Sequence, residues 1–169
     1  SKQITLAAFN YENKKQGFYQ LSIGEKPMQL IWDDRSFSTP IKAKDADLIL
    51  WRRQSFVDYP DLYLSNLGFS NIERITNTNP QQKDFNWGTN ELVEWKTYDG
   101  ELMQGIFIKP ENFDPNKKYP MLVYFYERRS DKLNSHSTPA PIRSVINFTY
   151  YASNGYLIFV PDIKYKTGE

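Results

Sequence analysis

The 169-residue sequence has no cysteine and a single histidine. The first absence excludes disulfides, thiolate nucleophiles and cysteine-based metal sites. The second, with His136 alone, excludes a histidine-rich metal centre. No cofactor or metal is expected. A charge bias is missing too. With 21 basic and 20 acidic residues, there is no electrostatic reason to expect nucleic acid or an anionic membrane surface as a partner. Lys164 and Lys166 are too sparse to form a basic patch and read as a solvated tail. No apolar run approaches the ~18 residues of a membrane span. The opening stretch SKQITLAAFN has neither the basic n-region nor the long apolar core of a signal peptide. Chains without cysteine occur in reducing and oxidising compartments alike, so periplasmic, secreted and cytoplasmic locations all stay open. Asp45, Asp47, Asp58 and Asp61 do not follow EF-hand spacing and read as carboxylates in turns.

Aromatic residues are plentiful: 12 Tyr, 11 Phe and 4 Trp. They favour pleated, half-buried strands. Residues 1 to 90 read as short strands between polar turns. ITLAAFN and GFYQLSI flank YENKKQ, a hairpin pattern. MQLIW and DLILWRRQ follow, joined by DDRSFSTPIKAKDA. DLYLSNL and IERIT then stand on either side of GFSN. Strand-sized segments at intervals of roughly ten residues suggest a sandwich, a barrel or propeller blades. Residues 76 to 90, TNTNPQQKDFNWGTN, have the composition of a linker. The boundary is placed there, giving segments 1–90 and 91–169.

The second segment changes pattern. ELVEWKTYDGELMQGIFIKP reads as a hairpin around Asp99-Gly100, a pair suited to positive φ at both turn residues. PENFDPNKKYP is a proline-bounded loop. MLVYFY, Met121 to Tyr126, reads as a buried strand. In APIRSVINFTYYASNG, Ile142, Val145, Ile146, Thr149 and Tyr150 recur at helical spacing. Pro141 suits the first turn and Gly155 the position after the end. Tyr156 to Val160 is a second buried-strand run. Hairpin, strand, helix, strand is the opening of an α/β-hydrolase sheet, in which the loop after the third strand supplies an oxyanion-hole donor.

Trp95…Tyr98-Asp99-Gly100, Lys109-Pro110, Lys118-Tyr119-Pro120 and YYASNGYLIFVPD resemble the prolyl oligopeptidase family of serine peptidases, at the junction between its β-propeller and its catalytic domain. DYPDLYLSNL…ITNTNPQ is similar to a final blade. The resemblance covers about residues 55 to 169. It implies a β-rich α+β fragment, with propeller-blade strands over 1–90 and the start of an α/β-hydrolase domain over 91–169. It also implies peptide substrates and a Ser-Asp-His triad in the parent protein. Tyr126 matches a family tyrosine whose hydroxyl helps hold the oxyanion. The triad itself is not in this sequence. Ser130, Ser135, Ser137, Ser144 and Ser153 lack the flanking glycines of a nucleophile elbow. His136 precedes the place of the nucleophile and reads as an exposed loop residue. The sequence departs from the family where Glu127-Arg128-Arg129 replaces glycines and where Ile163-Lys164-Tyr165-Lys166 replaces an Arg-Gly pair. The Arg128-Arg129 pair reads first as solvated loop charge, with binding of a substrate carboxylate by one of them as the alternative. This chain alone is expected to be inactive, and its unpaired strands are expected to favour self-association. The alternative reading is a stand-alone β-rich binding module. Asn147-Phe148-Thr149 fits a glycosylation sequon but falls in the expected helix.

Overall fold

The computed structural model describes residues 3–140 and 146–165. The chain forms two compact units, Ser1–Asn79 with Asn134–His136, and Pro80–Leu133 with Ser137–Glu169. Among the described residues no helix is long and apolar enough to cross a membrane.

The first unit is built from antiparallel strands. β1 (Gln3–Phe9), β2 (Gln16–Ser22) and β3 (Met28–Asp33) form a three-stranded meander. A second sheet runs in chain order through β4 (Ser36–Phe37), β6 (Leu48–Gln54), β7 (Asp61–Asn66) and β8 (Glu73–Arg74). β5 (Ile41–Lys42) pairs with the first half of β6, next to β4, which pairs with its last residues. A four-position meander of this kind is what a propeller blade looks like. β4 and β5 are two residues each and lie within the connection DDRSFSTPIKAKDA. The period-2 pattern explains the core. Ile49 and Trp51 point inward from β6, and Phe18 comes from β2. Together with Phe69 they form the buried cluster, with Leu30, Ile31, Phe37 and Tyr63 packed against it. Phe18 stacks on Phe69 at 5.0 Å between ring centroids, and Trp51 on Tyr63 at 5.1 Å. Each buried aromatic contributes roughly 2–3 kcal/mol through area removed from water. The indole N–H of Trp51 donates to Ser65 Oγ at 3.1 Å, so burying the ring leaves no polar atom unpaired.

Asp61, at the start of β7, is buried. Its Oδ1 accepts from Thr76 Oγ1 at 2.7 Å, Thr78 N at 3.0 Å and Thr78 Oγ1 at 2.9 Å, and its Oδ2 pairs with Arg74. Burial alone would raise its pKa. The bonds from Thr76, Thr78 and Arg74 outweigh that and hold it below the usual carboxylate value. This carboxylate fastens the strand-end residues 74–78 to β7.

The second unit opens with the hairpin of β9 (Thr89–Lys96) and β10 (Leu102–Lys109). Its loop is longer than a two-residue turn. Thr97 N donates to Glu101 O and Gly100 N to Thr97 O, and of the Asp99-Gly100 pair only Gly100 has a positive φ, +85°. β11 (Met121–Val123) and β12 (Leu157–Pro161) are parallel and are joined through α1 (Phe148–Ser153). β12 also pairs antiparallel with β10, giving the sheet order β11-β12-β10-β9. Ile158 and Val160 are fully buried, as expected of a strand with neighbours on both sides.

β11 differs from its expectation. The strand ends at Val123 instead of Tyr126, and Met121, Val123, Phe125 and Tyr126 are exposed. Among the described residues β11 lies at the sheet edge, held by β12 on one side. The helix is also shorter than its pattern. Asn147 caps it by accepting from Tyr150 N, and Pro141 to Val145 lie outside the described residues. Its end is as the sequence predicts. Gly155 has φ +83°, its N–H donates to Ala152 O, and Tyr156 N donates to Tyr151 O, closing a Schellman turn.

Candidate active site

Tyr126, Glu127, Arg128 and Arg129 follow one another where the chain leaves β11. Tyr124 N still donates to Phe159 O, which continues the pairing one residue beyond the strand. Tyr126 follows, 62% exposed. Glu127 then turns the backbone at φ +48°, in the left-handed region that glycine adopts without strain. The reversal expected at the missing glycines is therefore made by a residue with a side chain, at a cost of about 1–2 kcal/mol.

What secures this turn is Asp162, just past β12. Its Oδ1 accepts from Arg129 N at 2.7 Å and Ser130 N at 2.8 Å, and its Oδ2 accepts from Ser130 Oγ. Asp162 N donates to Gln104 O, and Ile163 N to Glu127 O at 3.0 Å. A carboxylate buried to this degree is stable because its lone pairs meet strong donors. Ser130 is fully buried and committed to Asp162, an anchoring role. Sequence reading missed Asp162. The one available signal was a Pro-Asp pair closing a buried strand.

The two arginines separate. Arg128 pairs with Asp131, Nε to Oδ2 at 3.2 Å. Arg129 lies over aromatic rings, its guanidinium carbon 5.2 Å from the Tyr124 centroid and 5.9 Å from that of Tyr126. One terminal nitrogen donates to Tyr124 OH at 3.0 Å. At the other departure, Lys164 pairs with Glu101 at 2.6 Å, and that bond raises its pKa. Tyr165 OH donates to Glu127 Oε1 at 3.2 Å.

His136 is not an exposed loop residue. Its ring nitrogens are buried, its ring meets Tyr59 edge-on at 5.0 Å, and its backbone N–H donates to Gln54 Oε1 at 3.2 Å. Burial lowers its pKa, against the opposing effects of the Phe56 and Ser55 backbone and the Asp58 charge. It belongs to the first unit, whereas Tyr126 belongs to the second. The sequon asparagine is likewise in structural use. Asn147 Oδ1 accepts from Tyr150 N and Thr149 Oγ1, and Thr149 is buried.

These features define a class by fold: antiparallel, propeller-like sheets followed by a hairpin-led mixed sheet. Solved structures with the same fold are members of the prolyl oligopeptidase family. The Pyrococcus horikoshii acylaminoacyl peptidase superposes with a TM-score of 0.65 at 13% identity, over 95% of this chain and 23% of its own. The Porphyromonas gingivalis dipeptidyl peptidase 4 gives 0.65 at 14% identity, over 95% and 22%. The isopeptidase AtxE2 gives 0.67 at 11% identity, over 98% and 24%. The likeness is one of fold, and the chain spans about a quarter of the length of these proteins. No protein-family model and no curated protein sequence matches the chain.

Proposed function

We propose that this chain is the propeller end and the catalytic-domain opening of a serine peptidase related to prolyl oligopeptidase. The sheet order β11-β12-β10-β9 carries the reading. A hairpin comes first, and the strand after α1 is then inserted between the hairpin and the third strand. This supports an α/β-hydrolase opening downstream of blade-like meanders. Within it, the propeller segment gives way to the hydrolase segment inside the 76–90 linker, ahead of β9.

The parent cleaves peptides by acyl-enzyme chemistry. A serine beyond residue 169 attacks, and a later histidine acts as general base. Tyr126 presents its hydroxyl to the developing oxyanion, and a donor of this kind stabilises the transition state by roughly 3 kcal/mol. Its exposure after β11 and the turn fixed by Asp162 support that role. The 169-residue chain by itself is inactive.

The test is the reading frame that encodes these residues. A continuation with a Gly-x-Ser-x-Gly elbow and a later His supports the peptidase. A stop codon after Glu169 supports the stand-alone binding module. In the continued protein, Tyr126→Phe should lower kcat about 100-fold with little change in KM. An unchanged kcat would remove Tyr126 from the mechanism.

A further inference from the structure

We propose that Arg129 is a carboxylate-binding subsite that selects peptides carrying a negative charge near the bond presented to Tyr126. This rests on Tyr126 lying on the substrate face. Arg129 differs from the neighbouring cations Arg128 and Lys164 in having no ionic partner among the described residues. Arg128 is matched by Asp131, Lys164 by Glu101, and Glu127 is engaged by Tyr165. Asp162 does not serve Arg129's guanidinium, because its oxygens are occupied by Arg129 N, Ser130 N and Ser130 Oγ.

Of the guanidinium's donors, one terminal nitrogen meets Tyr124 OH at 3.0 Å. Nε is buried with no acceptor. Nε is out of an incoming ligand's reach, so a carboxylate is taken by the terminal nitrogens, where pairing offsets the cost of holding the cation partly out of water. The fork is also held in advance. Tyr124 supports it by stacking and by its hydroxyl, and the Glu127 turn and Asp162 fix the backbone beneath it. Arginine in this setting prefers planar, bidentate carboxylates, and pre-organisation lowers the entropy lost on binding. The guanidinium carbon is 5.9 Å from the Tyr126 ring. At ~3.3–3.6 Å per extended residue, the carboxylate then falls within about two or three residues of the reacting carbonyl. Both a C-terminal carboxylate and an Asp or Glu side chain meet this description.

Calorimetric titration of the 169-residue chain tests the subsite without catalysis. The probes are acetyl-Ala-Ala as the free acid, acetyl-Glu-Ala-amide and acetyl-Ala-Ala-amide. The free acid or the Glu peptide should bind at least about tenfold tighter than the neutral amide. The tighter one identifies the carboxylate source. Arg129→Gln should abolish the preference, and Arg128→Gln should keep it. If Arg129→Gln does not fold, Arg129→Lys decides, since it retains charge without the fork and should weaken the preference several-fold. Equal binding of all three probes, no binding, or a preference indifferent to Arg129 overturns the proposal. A reading frame without a triad would defeat the peptidase reading and leave this result standing. Loss of the carboxylate preference would do the reverse.

Discussion

Asp61 and Glu127 are residues whose surroundings determine the effect of replacing them. Asp61 satisfies donors from Arg74, Thr76 and Thr78 inside the first unit. Asp61→Asn keeps the size but removes the charge and one acceptor, and should destabilise the unit by about 2–4 kcal/mol in urea unfolding. Because the folded pKa is lowered, the carboxylate's contribution is complete above the unfolded value of about 3.9. It is lost as pH falls through the lower folded value, and this acid dependence should disappear in Asp61→Asn. Glu127 sits at φ +48°. Glu127→Gly should be neutral or stabilising by up to about 1 kcal/mol, and Glu127→Val should be destabilising by more than that. Equal effects from the two would deny that the turn is strained. The positive φ was legible in the sequence only as a mismatch, a side chain standing where the family has glycine. Arg129's stacking and Asp162's anchoring were not legible. Asp162 binds backbone more than thirty residues away, and no local pattern encodes such a pairing.

At the scale of elements, the close approach of β10 to β12 depends on Gly105. A Cβ there would lie 2.8 Å from Phe159 Cε2 and 3.0 Å from Pro161 Cα. Gly105→Val should therefore cost about 1–3 kcal/mol by forcing the strands apart. Slowed amide exchange along Ile106–Ile108 in the wild type should be lost in the variant, and intact protection would show that the sheet yields freely. The long strands and hairpins could be read from sequence because their alternation is local. β1 with β2 and β9 with β10 are examples. β4 and β5 were hidden, since two residues have no period. MLVYFY overstated its strand because an apolar run does not tell whether a second neighbour is present. With β12 on one side only, pairing persists to Tyr124 and stops.

For the whole molecule, the open edge of β11 is the main consequence of the sheet order. Met121, Val123 and Phe125 are exposed along it, and no partner strand covers it among the described residues. Unpaired edges with apolar side chains recruit other strands. The 169-residue chain should therefore associate with itself at high concentration. Val123→Lys, a charge on that edge, should shift it toward monomer in sedimentation velocity. A wild type that stays monomeric throughout would contradict this. The order of strands also carries the functional reading, and the sequence foreshadowed it through the hairpin–strand–helix–strand succession. What it could not show was where the last strand inserts, because insertion is a non-local choice. The most direct measurement is active-site labelling of the protein expressed from the full reading frame containing these residues. Treatment with a fluorophosphonate, followed by peptide mass spectrometry, should place one adduct on a serine within a Gly-x-Ser-x-Gly sequence downstream of residue 169. No adduct, or an adduct on a serine within residues 1–169, would contradict the account.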